Sequence, residues 1–324
     1  MQTYLKELRW GKFNLIQGDF ISSIAAHYGE WSEAEVFVFR LLLSPSSNVI
    51  EVGSNIGMHA VPLAKLVPQG KLLCFEPQRI IYQQLCCNLS LNNLVNVESY
   101  RLGVSDQNTQ TWIETSDYSQ PWNYGSFSID KGFSTEGNFQ GETLKEEIGI
   151  IKLDDFAPVQ RLDSLDLLKI DAEGFDLRVL DGARETIKRN QPAIFIEAHP
   201  AAADGILQYL HQMDYQTYWI ISNRYQPNNF YQAPRVEQGW DTNVLAIPSS
   251  WVHTFAEQSR AEQSRAEQSR AEQSRAEQSR AEQSRAEQSR AEQSRAKLFH
   301  FLSYLKRAES VADFAQHIPK IQLG

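Results

Sequence analysis

From residue 48 onward, short apolar runs alternate with segments of helical spacing. Residues 49–52, 71–75, 97–102, 167–170 and 193–196 are the apolar runs; 58–66, 80–91, 177–188 and 205–213 carry apolar side chains at three- and four-residue intervals. This alternation predicts βαβ units and a parallel sheet buried on both faces. Two later runs, 217–221 and 244–247, have no comparable helix between them and predict an antiparallel pair at the sheet edge. Upstream, residues 1–47 read as a helical segment with two helical stretches. The second, 33–43, holds Val36, Phe37, Phe39 and Leu41 so densely that it must pack on something, and Pro45 stops it.

The domain so outlined spans 48–250 and is interrupted at about 105–163. That segment carries Trp112, Tyr118, Trp122, Tyr124, Phe127, Phe133 and Phe139 among Gly, Ser, Asn and Asp. A connection this long is functional or disordered, and its aromatic density argues against disorder. It is expected beside the active site, as a substrate cover. Residues 251–295 follow as a linker, and 256–295 are eight copies of Ala-Glu-Gln-Ser-Arg. Each repeat advances roughly 140° around a helix, so no apolar seam forms. A single solvated helix or a fluctuating linker is expected, not a coiled coil. The tail, 296–324, is amphipathic through Leu298, Phe299, Leu302 and Leu305, which suits docking on the core, on a protein partner or on a second copy.

The net charge of -9 belongs to the chain outside the repeats, in which Glu and Arg are equal. An acidic globule repels polyanions, which weighs against a nucleic-acid partner. No apolar run approaches the roughly 18 residues of a membrane span. The mixed polar start, Met1 to Gly11, does not read as a signal peptide. Three cysteines, Cys74, Cys86 and Cys87, lack metal-type spacing, so a reduced, cytoplasmic setting is expected.

The candidate chemistry begins at Val49-Ile50-Glu51-Val52-Gly53, a buried strand ending in glycine, followed by Ser54-Asn55-Ile56-Gly57 turning into a helix. Two glycines four apart permit a sharp turn and close approach of main chain to a ligand. The dinucleotide pattern G-x-G-x-x-G is absent. The next strand ends at Glu76-Pro77, where a carboxylate is placed to accept both hydroxyls of an adenosine ribose. A further strand end, Leu102-Gly103-Val104, suits the edge of a base, although it reads equally well as a turn.

The stretches V-I-E-V-G-S-N-I-G, F-E-P, L-L-K-I-D-A-E-G-F-D-L-R-V-L-D-G-A and P-A-I-F-I-E-A-H-P together resemble the FkbM-like family of S-adenosylmethionine-dependent methyltransferases, over roughly 48–213. The resemblance implies an α/β class I methyltransferase (Rossmann-like) fold, with a seven-stranded, mostly parallel sheet and helices on both faces. It implies S-adenosyl-L-methionine as cofactor, and O-methylation of a hydroxyl on a sugar or glycan, polyketide or related small molecule. Glu51, Gly53, Asn55 and Gly57 would then line the methionine end and Glu76 would hold the ribose. Ser54, Val104 and Asp171 complete the cofactor candidates. The insertion, the repeats and the tail lie outside the resemblance.

Methyl transfer needs in-line approach of a nucleophilic oxygen and removal of its proton. Asp171 and Glu173, at the carboxyl end of the fourth strand, and His199, at the end of the fifth, are the catalytic candidates. Asp176 reads more plainly as a first-turn carboxylate offsetting the helix dipole, and His199 equally as a group fixing the turn before Pro200. His59 is a lesser candidate. No dedicated metal site is expected; a set of Asp171, Glu197 and His199 is the alternative, holding a divalent cation against the acceptor hydroxyl. Two functions stay open on these residues: an enzyme, or a binding or scaffold protein on the same fold, tethered through its repeat tail. N- or C-methylation also stays open, because fold does not fix chemistry.

Overall fold

The computed structural model describes residues 1–116, 118–130, 132, 139, 141–199 and 203–252; the repeats and the tail fall outside them. The chain opens with β1 (Thr3–Leu8) and β2 (Gly11–Ile16), an antiparallel hairpin, followed by α1 (Phe20–Tyr28) and α2 (Glu33–Leu42). The expected helical segment 1–47 is thus half hairpin. Phe13 and Leu15 alternate inward in β2, and the Asn14 amide is held by Asn88 Oδ1 at 2.6 Å, which pins the hairpin to the domain.

The domain continues through β3 (Val49–Val52), α3 (Ala60–Leu66), β4 (Leu72–Phe75), α4 (Arg79–Leu91), β5 (Val97–Tyr100) and β6 (Leu102–Val104). Next come β7 (Thr109–Ser116), β8 (Thr143–Ile151), α5 (Ala157–Gln160), β9 (Leu167–Ile170), α6 (Asp176–Gly182) and α7 (Arg184–Asn190). The last elements described are β10 (Ala193–Glu197), α8 (Ala203–Gln212), β11 (Tyr215–Asn223) and β12 (Trp240–Pro248). The single helix expected over 177–188 is broken at Ala183 into α6 and α7. The run 97–102 is split at Arg101: β5 joins the main sheet, and β6 leaves it to pair with β8.

The main sheet has the order β5-β4-β3-β9-β10-β12-β11. Its strands are parallel through β10, and β12 runs antiparallel to both of its neighbours. This is the class I methyltransferase arrangement. The expected antiparallel pair is present, with β12 inserted between β10 and β11. Alternation along the strands divides the core: Val49, Leu72, Leu167 and Phe195 face α2, α3 and α4, while Ile50, Leu73, Leu168 and Ile194 face α5 to α8. Successive connections run outward in opposite directions from β3 and β9, so a crevice opens at the carboxyl ends of these two strands, where ligands of such sheets gather. No helix among the described residues is long and apolar enough to cross a membrane.

The 105–163 segment folds onto this crevice. With β6 it forms a three-stranded sheet, β6-β8-β7, and its turn near 123–129 is tied to the start of α1: the Phe20 amide donates to Trp122 O, and the Tyr124 amide to Asp19 Oδ1.

Candidate active site

The crevice encloses about 1240 Å³, open mouth included. Gly53 ends β3 at φ +78, and a Cβ there would stand 1.8 Å from the backbone oxygen of Asp171. Only glycine lets β3 and β9 close together at the switch point. Just below, one register row holds Cys74, Glu51, Lys169 and Phe195 on neighbouring strands. Lys169 is buried, with its Nζ 3.6 Å from Glu51 and 3.3 Å from Asp171. Burial pushes the Lys169 ammonium down, but Asp171, Glu51 and Glu35 outweigh it and hold its pKa above the ordinary lysine range. Burial likewise lifts the Glu51 carboxyl, and Lys169 offsets only part of that, leaving it at about 7.

Glu76, just past β4, is buried, and it braces the glycine turn. Its Oε2 accepts the Asn55 amide at 3.0 Å and its Oε1 the Gln78 amide at 2.9 Å. Asn55 takes a left-handed conformation, φ 49, with its own Oδ1 on the Ile56 amide. Burial raises the Glu76 carboxyl to about 7 against the lowering effect of these two amides. Gln78 is held from the insertion by the Tyr118 hydroxyl at 3.2 Å, and itself donates to Tyr124 O. The insertion's aromatics therefore act mainly as supports. Phe127 lines the crevice, Tyr118 and Tyr124 are buried behind it, and Trp112 is exposed on β7; Phe133 lies outside the described residues.

Of the residues singled out in the sequence, Glu51, Gly53, Ser54, Asn55, Glu76, Val104, Asp171, Glu173 and Glu197 all line this crevice. Gly57, at φ +90, turns the chain toward α3 behind it. Asp171, Glu173 and Glu197 bring carboxylate oxygens within 4.8 Å of one another. His199 is not brought to the site. It is exposed and does not line the crevice, so the set Asp171, Glu197 and His199 is not assembled. Consecutive left-handed residues, Glu173 (φ 46) and Gly174 (φ 94), swing Glu173 in instead. Asp176 does more than face a helix dipole: it accepts the Ala172 and Gly174 amides, each at 3.0 Å, and closes that loop.

The opposite wall comes from residues that the sequence did not mark. Phe20, Trp31 and Glu35 come from α1, α2 and the turn between them; Arg224, Asp241 and Asn243 come from the chain ends flanking the 224–241 connection. Arg224 pairs with Asp241 at 2.6 Å and lies over the Phe20 and Trp31 rings, 5.3 and 5.4 Å from their centroids. Ser32 Oγ donates to Asp241 at 2.7 Å, fastening the two halves of the wall. Seven carboxylates and two cations, Lys169 and Arg224, line the whole crevice.

Comparison with known proteins bears on this geometry. The FkbM methyltransferase domain matches residues 51–217. Methyltransferase sdnD of Sordaria araneosa is 30% identical over 157 residues, covering 42% of this chain and 60% of that protein. 2-O-methyltransferase NoeI of Sinorhizobium fredii is 24% identical over 158 residues, covering 48% of this chain and 64% of that protein. The chain thus spans less than two thirds of the length of either relative. Among solved structures, methyltransferase FkbM from Methylobacillus flagellatus KT is similar with a TM-score of 0.42 and 19% identity, covering 63% of this chain and 44% of that one. The matched segment supplies the glycine turn, Glu76 and the acidic strand ends, whereas the opposite wall lies outside it. With that segment spanning half its length, the chain belongs to the FkbM methyltransferase family.

Proposed function

We propose that the protein transfers the methyl group of S-adenosylmethionine to a hydroxyl of a small metabolite or glycan. The observation that carries this reading is the buried Glu76 carboxylate, braced on the glycine turn and facing an acid-lined crevice. Its oxygens keep lone pairs beyond the two amide bonds, enough to accept a pair of ribose hydroxyls. Glu51, Gly53, Ser54 and Asn55 would hold the amino-acid end, with Asp171 beside them, and Gly103 and Val104 would lie along the base. The excess of carboxylates matches a ligand that carries a sulfonium and an ammonium. When bound, S-adenosylmethionine supplies an electrophilic methyl carbon on a positively charged sulfur.

The protein's own part is binding and positioning. Phe20, Trp31 and Phe127 offer apolar faces, and Asp171, Glu197 and Asn243 offer acceptors and donors for a polyhydroxylated partner. The 2-O-methyltransferase named among the relatives favours oxygen as the acceptor atom.

Titration calorimetry should show one S-adenosylmethionine bound per chain, several-fold more tightly than neutral S-adenosylhomocysteine. Absence of heat with either compound on folded protein would end this reading. Labelled methyl donor mixed with a small-molecule extract, followed by mass analysis, then identifies the acceptor.

A further inference from the structure

Glu35 and His59 have no part in the roles above, yet both line the crevice. Glu35 is on α2, outside the segment matched by the family, and His59 directly precedes α3. His59 Nε2 stands 3.6 Å from Glu35 Oε2 and is buried without a hydrogen-bond partner. The orientation of the pair is enforced from two sides. Asn243 Nδ2 donates to Glu35 Oε1 at 3.1 Å, which leaves Oε2 for the imidazole. The His59 ring stands edge-on to Phe39, with centroids 5.6 Å apart and planes at 88°. Phe39 is itself wedged against Phe195 at 5.0 Å.

A buried imidazole backed by a carboxyl, fixed by aromatic packing and lining the crevice, has the parts of a proton-accepting pair. We infer that His59, positioned by Glu35, is the catalytic base that takes the proton of the acceptor hydroxyl. The inference rests on the methyl-transfer reading above. In that step the acceptor oxygen bonds the methyl carbon as the carbon–sulfur bond breaks, with its electron pair left on sulfur as a neutral thioether. The hydroxyl proton passes to the second nitrogen of His59, and the Glu35 carboxylate holds the resulting imidazolium through Nε2–H.

Charge prepares the pair. Burial keeps the Glu35 carboxyl well above its ordinary range, assisted by Asp241 and Asp171 and opposed by Lys169. Burial, then Lys169, keeps the imidazole neutral. A sulfonium in the crevice favours the ionised carboxyl. The Glu35 carboxylate then accepts from Nε2–H, and the other ring nitrogen is left with a bare lone pair toward the acceptor.

The test is nitrogen-15 spectroscopy of the full chain with labelled histidine at pH 7.5, with S-adenosylmethionine or S-adenosylhomocysteine added. With S-adenosylmethionine, His59 should be neutral and protonated on Nε2, and less uniformly so with the neutral homocysteine compound. Glu35→Leu should abolish the preference; should that variant misfold, Glu35→Gln should weaken it. A proton on Nδ1, an imidazolium, or a tautomer indifferent to Glu35 would overturn the inference. Calorimetry on the same samples separates the two readings, since bound cofactor beside the wrong tautomer removes only the base. With labelled donor and the acceptor extract, His59→Asn should lower transfer at least about a hundredfold at unchanged cofactor affinity. Transfer within threefold of the native chain would also overturn it.

Discussion

Lys169→Met should destabilise the folded protein by about 3–5 kcal/mol at pH 8, and by far less at pH 5. Methionine reproduces the length of the lysine stem, so little packing is lost; what disappears is the cation beside Glu51 and Asp171. In the native protein the cost of burying that ammonium is outweighed by the carboxylates around it. Without it, two buried acids, Glu51 in the middle of the sheet and Glu35 on α2, lose the lysine charge that opposes their burial. The sign with pH follows from them. Their folded pKa values already lie above the unfolded values and rise further in the variant, so their contribution is favourable in acid and is lost as pH increases. Lys169 itself stays charged over this range and adds no slope. Denaturant unfolding at the two pH values measures the difference. An equal loss at both, or a loss under about 1 kcal/mol, would show that the buried cation is not the balancing charge.

Lys169 is also the clearest case of a residue that was visible in the sequence but left unread. A lone cation within the four apolar-flanked positions of Leu167–Ile170 signals a buried counter-charge, and Glu51 is its cross-strand neighbour. The domain was legible because four-residue strands buried on both faces have few alternatives, and because the glycine turn and Glu76 are local in sequence. The N-terminal hairpin was not legible: β1 is mostly exposed, so its alternation is blurred. The opposite wall was hidden for another reason. Ser32 meets Asp241, and Glu35 meets Asn243, across more than 200 residues of chain, and no local pattern encodes such a meeting. Asp171, Glu197 and His199 were grouped only because they follow neighbouring strand ends, the fourth for Asp171 and the fifth for the other two. The left-handed turn at Glu173 and Gly174 then decided which side chain arrives.

Glu76→Gln should weaken S-adenosylmethionine binding at pH 8 by roughly 30-fold, about 2 kcal/mol, the worth of hydrogen bonds to a charged acceptor. Glutamine keeps the volume but offers one acceptor oxygen where Asn55 and Gln78 already present two amides, and its own NH2 faces donors. The pH dependence separates charge from shape. The native carboxyl titrates near 7, so affinity should climb about tenfold between pH 6 and pH 8 as the ribose-binding carboxylate forms. In the variant the Glu76 part of that slope should vanish, leaving the contributions of the other raised carboxyls of the crevice, Glu51 and Glu35 among them. Stability of the empty protein should move the other way. A carboxyl whose folded pKa lies above its unfolded value stabilises in acid and loses that contribution as pH passes from about 4.5 through about 7, a loss of about 3 kcal/mol that an uncharged glutamine side chain cannot show. Binding and stability would thus be set against each other by one side chain: the charge that grips the ligand is one that burial disfavours in the empty fold. Calorimetry and denaturant unfolding across pH 5.5–8 measure both slopes. A variant that binds as tightly as the native protein at pH 8, or that keeps both slopes, would move the ribose contact away from Glu76.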